Sequence, residues 1–290
     1  MPSIAEVRQY LGGQIFGKPF VPKVDLSGKT YVMTGGNTGL GLECAKHLAN
    51  LKAAKVILAC RNIEKGEKAK KSILDMHPSP KPQLRSSKWI KVTSTGLETV
   101  TFERTEGYEN SLTVNVISTV MLSVLALPKL KETAKVNGAH TNLVIVGSMQ
   151  HVFAPSAQLD VKDGRSIFEM CEKEIAERLD GGAKERSPVV VNCVNPGWCG
   201  TELSRYYDKG RFVGAIFAMI GRTAEAGSRT LVHSVTAGPE SHGQYLSECL
   251  VKTESSFVRS KEGDRIQKRL WRELFEIIER LCPGATSAVC

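Results

Sequence analysis

Four closely spaced glycines give this chain a stretch with the residue types needed to bind a phosphate group. The stretch is Thr34-Gly35-Gly36-Asn37-Thr38-Gly39-Leu40-Gly41, between an apolar run, 31–33, and a helix-like run, 42–51. Glycine allows a tight turn with positive φ and a close approach of the backbone to a pyrophosphate, which helix N–H groups then stabilise. A turn without a ligand is the alternative. The strand–turn–helix order, followed by the β-branched run 55–60, favours the phosphate site.

The basic residue Arg61 stands at the end of the second apolar run, where a NAD-binding unit commonly has an acidic residue. That acid, about 20 residues after the glycines, binds the ribose 2′-hydroxyl. Arginine can instead bind a 2′-phosphate through two hydrogen bonds, and Lys65 and Lys68 add positive charge nearby. The alternative is that Arg61 is a solvated residue at a strand end that binds no ligand. The sequence therefore predicts NADP(H) rather than NAD(H).

The composition limits the classes of function. The net charge is +9, but the basic residues are scattered and aromatic residues make up only 6% of the chain, so we expect no nucleic-acid binding. The eight cysteines form no CxxC pair, and we expect reduced thiols in a cytoplasmic protein, with Cys44, Cys60 and Cys193 in the core. The six histidines lack metal-ligand spacing, so no metal site is predicted.

Alternating runs of strand and helix character predict an α/β fold, a doubly wound parallel sheet of the Rossmann type. The predicted strands are 31–33, 55–60, 89–93, 142–147, 189–194 and 244–246, and the predicted helices are 42–51, 63–76, 112–130, 166–179, 223–237 and 265–281. Residues 1–27 are expected to form an N-terminal arm without visible chemistry, laid on a single domain, 28–290. The longest nearly uncharged apolar run, 212–220, is too short to cross a bilayer, so no transmembrane segment is expected. It is interpreted as a core helix, as an apolar lid over a pocket, or as a segment that touches a membrane surface.

Four spaced motifs resemble the short-chain dehydrogenase/reductase superfamily, in particular its retinol-dehydrogenase-like fungal reductases. The motifs are the glycine stretch 34–41, Asn115 in LTVNV, Ser148 in NLVIVGSM, and Asn195-Pro196-Gly197 followed by Thr201. The resemblance covers about residues 25 to 250. It implies an NADP(H)-dependent oxidoreductase that acts on a hydroxyl or ketone of a small, apolar molecule in fungal secondary metabolism, and a homo-oligomer is an expectation.

The resemblance also implies roles for individual residues. Ser148 would polarise the substrate carbonyl and Asn115 would hold a water, so these two are the candidate catalytic residues. The candidate cofactor-binding residues are Thr34, Gly35, Asn37, Thr38, Gly39, Leu40, Gly41, Arg61, Pro196, Gly197 and Thr201.

The family's proton-donating tyrosine, followed four residues later by lysine, is missing. The tyrosines are at 10, 31, 108, 206, 207 and 245, and none has a lysine at that spacing. In one alignment with the family, Val161 and Arg165 occupy the two positions. In the other, the segment between 166–170 and 174–179 has been deleted. The proton donor is absent in both alignments.

Three side chains are conceivable substitutes for the missing pair. Tyr206 and Tyr207 follow the turn at Pro196, and Lys173 lies in the predicted helix. A loop tyrosine without a neighbouring cation keeps a pKa of about 10, which disfavours Tyr206 or Tyr207 as the proton donor. His151, three residues after Ser148, is interpreted as a loop histidine.

A second departure from the family lies between 77 and 107. A strand–helix–strand crossover takes roughly 30 residues. The 31 residues here must supply a third strand, its helix and a fourth strand, with prolines at 78, 80 and 82. We therefore expect a sheet truncated in the region of strands 3 and 4, with an exposed edge, in a divergent chain or the product of a damaged or misread gene.

Three functions remain open at this point. The first is an NADP(H)-dependent oxidoreductase with a different proton source. The second is a protein that binds the nucleotide without catalysis, and the third is a basic interaction module. Binding of NADPH would support the first two, and turnover of a ketone would separate them.

Overall fold

The computed structural model of the protein describes residues 3–76, 83–88, 104–105, 107–109, 112–149, 187–201 and 219–289. The helices are α1 (Ile4–Phe16), α2 (Gly39–Asn50), α3 (Ile63–Asp75), α4 (Ser118–Asn137), α5 (Ala224–Thr236) and α6 (Lys261–Leu281). A π-helical turn, Thr113–Ile117, leads into α4, and 3₁₀ turns lie at Pro239–Ser241 and Ala285–Ala288. The strands are β1 (Thr30–Thr34), β2 (Lys55–Cys60), β3 (Gln83–Lys88), β4 (Arg104–Thr105), β5 (Tyr108–Glu109), β6 (Thr141–Val146), β7 (Val189–Asn195), β8 (Cys199–Gly200), β9 (Arg222–Thr223), β10 (Gln244–Ser247) and β11 (Leu250–Lys252).

The N-terminal part of the fold is a three-stranded parallel sheet with two helices. β1 pairs with β2 in the register Thr30↔Lys55 to Thr34↔Ala59, and β2 pairs with β3. Apolar side chains recur along one face of α2, and its buried residues Cys44 and Leu48 join Val56 and Leu58 of β2 in a single core cluster. The amphipathic pattern of α2 thus fixes this helix to the sheet.

The C-terminal part contains a four-stranded sheet in the order β11-β10-β7-β6. β6, β7 and β10 are parallel, and β11 returns antiparallel to β10. All seven residues of β7 are buried, as expected for a central parallel strand. Val194 and Leu246 of this sheet belong to the same core cluster as α2 and β2, so the two sheets share a core.

The apolar helix Thr113–Asn137 is the one helix in the described ranges that is long and apolar enough to cross a membrane. Its most apolar window has a mean hydropathy of 1.6, and half of that window is buried. Val120, Val124 and Leu127 pack with β7 and with Trp271 of α6 in the core. Core helices of water-soluble proteins have the same profile, so this finding is weak support for a membrane span.

A third strand, which the sequence of 77–88 did not predict, is present in this sheet. β3, Gln83–Lys88, pairs along its length with β2 in parallel register, from Lys55↔Gln83 to Cys60↔Lys88. The prolines at 78, 80 and 82 precede this strand and therefore do not interrupt it. Its polar sequence, QLRSSK, lacks the apolar run typical of a buried strand, but it lies at the end of the sheet, where polar residues are tolerated.

The two sheets end at β1 and β6, and within the described part of the chain no further strand pairs with either. Val32 of β1 is 56% exposed and Val146 of β6 is 46% exposed, which is unusual for apolar residues of central Rossmann strands. The α/β Rossmann-like class is confirmed, and within the described residues the parallel strands form two separate sheets rather than the expected single one. The predicted strand 89–93 and the predicted helix 166–179 lie outside the described residues.

Candidate functional site

The glycine stretch forms a tight turn between β1 and α2. Gly35 and Gly39 have φ values of +64° and +54°, in the left-handed region that favours glycine. The Gly35 N–H donates to the carbonyl oxygen of Ala59, at 2.9 Å, which ties the turn to β2. A Cβ at Gly41 would lie 2.6 Å from the Gly35 oxygen, so the close approach of Gly41 to the turn itself already excludes a side chain there.

The N-terminus of α2 differs from the N-termini of four other helices. Thr38 occupies its N-cap position but makes no side-chain capping hydrogen bond. The N-cap side chains of the other four helices each accept a backbone N–H; these residues are Ser3, Asn62, Thr223 and Ser260. The first-turn N–H groups of α2 therefore lack the usual capping side chain, and such groups attract anions. The predicted residues Asn37 and Leu40 are half-buried in this turn, and Thr34 and Thr38 are exposed.

The second predicted binding segment, Pro196–Thr201, lies beside the glycine turn. A Cβ built at Gly39 would lie 3.5 Å from Cβ and Cγ2 of Thr201. Both segments also meet α5, because a Cβ at Gly227 would lie 2.9 Å from Leu40 and 3.4 Å from the Pro196 oxygen. Residues far apart in the sequence are thus brought together, and a small residue on α5 makes room for them.

Arg61 follows β2 directly and is exposed, as are Lys65 and Lys68 on α3. Asn62 caps α3 by accepting the backbone N–H of Lys65 at 2.9 Å. This cap fixes the start of α3 immediately after Arg61. Arg61 therefore lies at the end of β2, and Lys65 and Lys68 lie in the first two turns of α3.

The candidate catalytic residues lie at the ends of two elements. Ser148 is half-buried two residues after the end of β6, and the next residue, Met149, is buried. Asn115 is half-buried in the π-helical turn that leads into α4, between the buried residues Val114 and Val116. Single π-helical turns are frequent at functional sites because they re-orient a side chain within a helix.

Asn195 joins three strand ends and was not among the predicted site residues. Its Oδ1 accepts the N–H of Met149 at 3.2 Å and that of Gly197 at 3.0 Å. Its Nδ2 donates to Oγ of Ser247 at 3.0 Å. Asn195 is only 2% exposed, so these bonds are made in the protein interior. A polar residue that ends the apolar run VVVNCV was the sequence signal for this role.

Asn195→Ala should lower the free energy of unfolding by about 1 to 3 kcal/mol for each buried group that loses its partner. Urea unfolding of the purified protein measures this change. The matched control is Asn142→Ala, because Asn142 donates a single hydrogen bond, to the Ala237 oxygen at 2.8 Å. Equal losses for the two variants would contradict the role of Asn195 as the junction of the three strands.

The residues aligned with the missing tyrosine and lysine, and the conceivable substitutes for them, lie outside the described residues. These are His151, Val161, Arg165, Lys173, Tyr206 and Tyr207. Among the described tyrosines, burial raises the pKa of Tyr31 to about 12, which makes it a weaker acid than free tyrosine.

The described ranges contain no group of three or more His, Cys, Asp or Glu side chains that could hold a metal ion. Their cysteines are free thiols, and Cys44, Cys60 and Cys193 are buried as predicted. Burial also raises the pKa of Cys44 to about 12 and that of Cys199, against the opposing effect of Arg222, to about 11. Neither thiol is therefore activated as a nucleophile.

Known structures share this fold at low sequence identity. A short-chain type dehydrogenase/reductase from Mycobacterium ulcerans superposes with a TM-score of 0.58, at 17% identity, over 84% of this chain and 99% of that one. L-Sorbose reductase from Gluconobacter frateurii, solved with NADPH and L-sorbose, superposes with a TM-score of 0.56, at 16% identity, over 80% of this chain and 100% of that one. At these identities the likeness concerns the fold.

Sequence comparisons assign the family. Residues 29–81, which include the glycine turn and Arg61, match the KR domain family. The short chain dehydrogenase/reductase dmxR8 of Cryptosporiopsis sp. (strain 8999) is 34% identical over 321 residues, covering 96% of this chain and 99% of the relative. The short-chain dehydrogenase/reductase phmF of Phaeosphaeria nodorum is 32% identical over 304 residues, covering 89% of each chain. The chain therefore belongs to the short-chain dehydrogenase/reductase family of oxidoreductases.

Proposed function

We propose that the protein is an NADP(H)-dependent oxidoreductase that acts on a hydroxyl or ketone of a small, apolar molecule. The observation that carries the proposal is the glycine turn between β1 and α2. Its positive-φ glycines leave backbone N–H groups at a helix N-terminus without a side-chain cap, with Thr201 packed beside Gly39. This arrangement has the chemistry of a pyrophosphate site.

The residues present fit a nicotinamide dinucleotide. The N–H groups of the turn that follow Gly35, from Gly36 to Gly41, would hold the pyrophosphate. The segment Pro196–Thr201 would hold the nicotinamide end. When bound, the nicotinamide supplies or accepts the hydride. The task of Ser148 in this proposal is to donate a hydrogen bond to the substrate oxygen, and that of Asn115 is to hold a water.

The choice of NADP(H) over NAD(H) rests on Arg61. An exposed arginine after β2, with Lys65 and Lys68 close by in the sequence, suits a 2′-phosphate, because guanidinium binds phosphate through paired hydrogen bonds. An acidic residue at this position would repel that phosphate.

Arg61→Asp should weaken NADPH binding by about 1 to 3 kcal/mol, the range for losing a hydrogen bond to a charged group, and should barely change NADH binding. Fluorescence titration with each nucleotide measures both affinities. Lys71→Asp makes the same change of charge at an exposed position further along α3 and should have the smaller effect. Equal affinity of the native protein for NADPH and NADH would refute the assignment.

The apolar character of the substrate is proposed from the run 212–220, FVGAIFAMI, in its interpretation as a lid. At the described end of this run, the Met219 side chain is exposed rather than part of the core. The relatives described above are fungal proteins, and we extend the proposal to fungal secondary metabolism on that basis. Buried free thiols suit the reducing cytoplasm, where we place the protein, as a homo-oligomer.

A second candidate is a member of the family that binds the nucleotide without turnover. It is favoured by the absence of any tyrosine followed four residues later by lysine. The alignment with dmxR8 spans 321 residues, more than the 290 of this chain, so the relative has segments without a counterpart here. Enhanced NADPH fluorescence on mixing would support both candidates. Turnover with a panel of ketones would support only the first.

A further inference from the structure

The N-terminal segment is more than an arm laid on the domain, because α1 is bonded to the C-terminal half of the chain. The Glu6 carboxylate accepts the N–H of Ser256 at 2.6 Å, and this bond, followed by one from Ser3, lowers the pKa of Glu6 to about 2. The Tyr10 hydroxyl donates to the carbonyl oxygen of Thr253 at 3.1 Å. These bonds fix the helix on the sheet next to β11.

At its other end, α1 is bonded to the segment after β7 through Gln14. The Nε2 group donates to the carbonyl oxygens of Trp198 and Ile220, at 3.2 and 2.7 Å. The Oε1 atom accepts the N–H of Trp198 at 2.9 Å. Gln14 is 4% exposed, and both hydrogens of its amide are used. It therefore binds both the N–H and the carbonyl group of Trp198.

Arg222 completes this contact. The side chain is 8% exposed, and it donates to the Pro196 oxygen at 3.1 Å, to the Gly13 oxygen at 2.6 Å and to Glu248 at 3.2 Å. One guanidinium therefore connects the end of α1 with the start of the Pro196–Thr201 segment. The helix and the segment are held together by backbone groups of both.

Gly197 lies where the Pro196–Thr201 segment packs tightly against Gln14 and Arg222. Its φ is +83°, and a Cβ there would lie 2.6 Å from Oε1 of Gln14 and 2.7 Å from Nη1 of Arg222. The segment turns at this point directly against α1, then continues to Thr201, whose side chain lies beside Gly39. A displacement of α1 would therefore be transmitted to the Thr201 side of the glycine turn.

We propose that Gln14 is a positioning residue for the nicotinamide half of the bound dinucleotide. It acts through the backbone of Trp198, which it holds so that Pro196–Thr201 stays against the glycine turn. This inference rests on the proposed function, in which that segment holds the nicotinamide end. The adenosine half is held elsewhere, by the turn itself and by Arg61, so the effect of Gln14 is confined to one half of the ligand.

The test compares two ligands of the same protein by titration. One is NADPH, and the other is 2′-phospho-ADP-ribose, which shares the phosphates and the adenosine but lacks the nicotinamide. Gln14→Met removes three hydrogen bonds at similar side-chain volume. We expect it to raise the Kd for NADPH by at least ~10-fold, equivalent to about 1.4 kcal/mol. The Kd for the fragment should change less than the Kd for NADPH, because the fragment lacks the nicotinamide that the Pro196–Thr201 segment is proposed to hold.

The matched control is Gln9→Met, the same substitution at an exposed position of α1, which should change neither Kd. If Gln14→Met does not fold, Gln14→Glu takes its place. It has the same shape and keeps the acceptor for the Trp198 N–H, but loses the two donated bonds. We expect a selective loss of NADPH affinity with this variant too.

The titrations distinguish a failure of the Gln14 inference from a failure of the proposed function. If the native protein binds both ligands and the Gln14 variants weaken both equally, or weaken neither, Gln14 has only a structural role or none, and the proposed function stands. If the native protein binds neither NADPH nor the fragment, the proposed function is wrong and this inference is overturned with it.

Discussion

The Gly39→Val variant should lose measurable NADPH binding while it keeps its fold. Gly39 has a φ of +54°, and its Cβ position faces Thr201 at 3.5 Å, so a first carbon fits but a branched side chain fills the space between the turn and the Pro196–Thr201 segment. That space opens on the N–H groups of α2, where the pyrophosphate is proposed to bind. Blocking them removes the largest group of contacts available to the ligand.

The control for Gly39→Val must separate backbone strain from a blocked site. Gly138 has a similar φ, +61°, after the end of α4, and has no atoms within 4 Å of its Cβ position. Both substitutions place a branched residue in the left-handed region, which costs about 1 to 3 kcal/mol. Thermal unfolding should therefore show similar destabilisation, whereas titration should show NADPH binding only to Gly138→Val. Native affinity in the Gly39 variant would place the phosphate site elsewhere.

Hydride transfer from saturating NADPH to ketones or aldehydes should be slower than ~1 s⁻¹ in a single turnover, at the low end of ordinary enzymes. A placed general acid typically contributes about 10² to 10⁴ in rate, and the family's tyrosine and lysine are missing from this sequence. Some turnover should survive, because alignment of the nicotinamide with the carbonyl does not need the tyrosine.

Rapid mixing of the protein–NADPH complex with a panel of ketones and aldehydes measures this chemical step. Ser148→Ala should reduce the residual rate by about 10² or more, the cost of removing one donor to a developing oxyanion. Ser72→Ala, on α3, is the matched control and should leave the rate unchanged. A native chemical step at or above ~1 s⁻¹ would mean that another side chain replaces the missing tyrosine.

The local elements were largely predictable because their signals lie within short stretches. Glycine spacing at 34–41 placed the turn before α2, and the apolar runs placed β2 and β7 to within one residue of their observed ends. The α/β class followed from the alternation of these runs. β3 was missed because an end strand with the sequence QLRSSK needs no apolar run, and α1 was missed because its sequence mixes glycine with isolated apolar residues.

The candidate site depended on the sequence for its residue types and on the tertiary structure for its neighbours. Arg61 and the glycines are recognisable alone, because one guanidinium or one positive-φ position carries its own chemistry. Gln14 and Arg222 are not recognisable in this way. Each is an ordinary polar residue until folding buries it against backbone groups up to 209 positions away and makes its hydrogen bonds necessary. A buried polar group must find its partners in three dimensions, and no local pattern in the sequence records which partners those are.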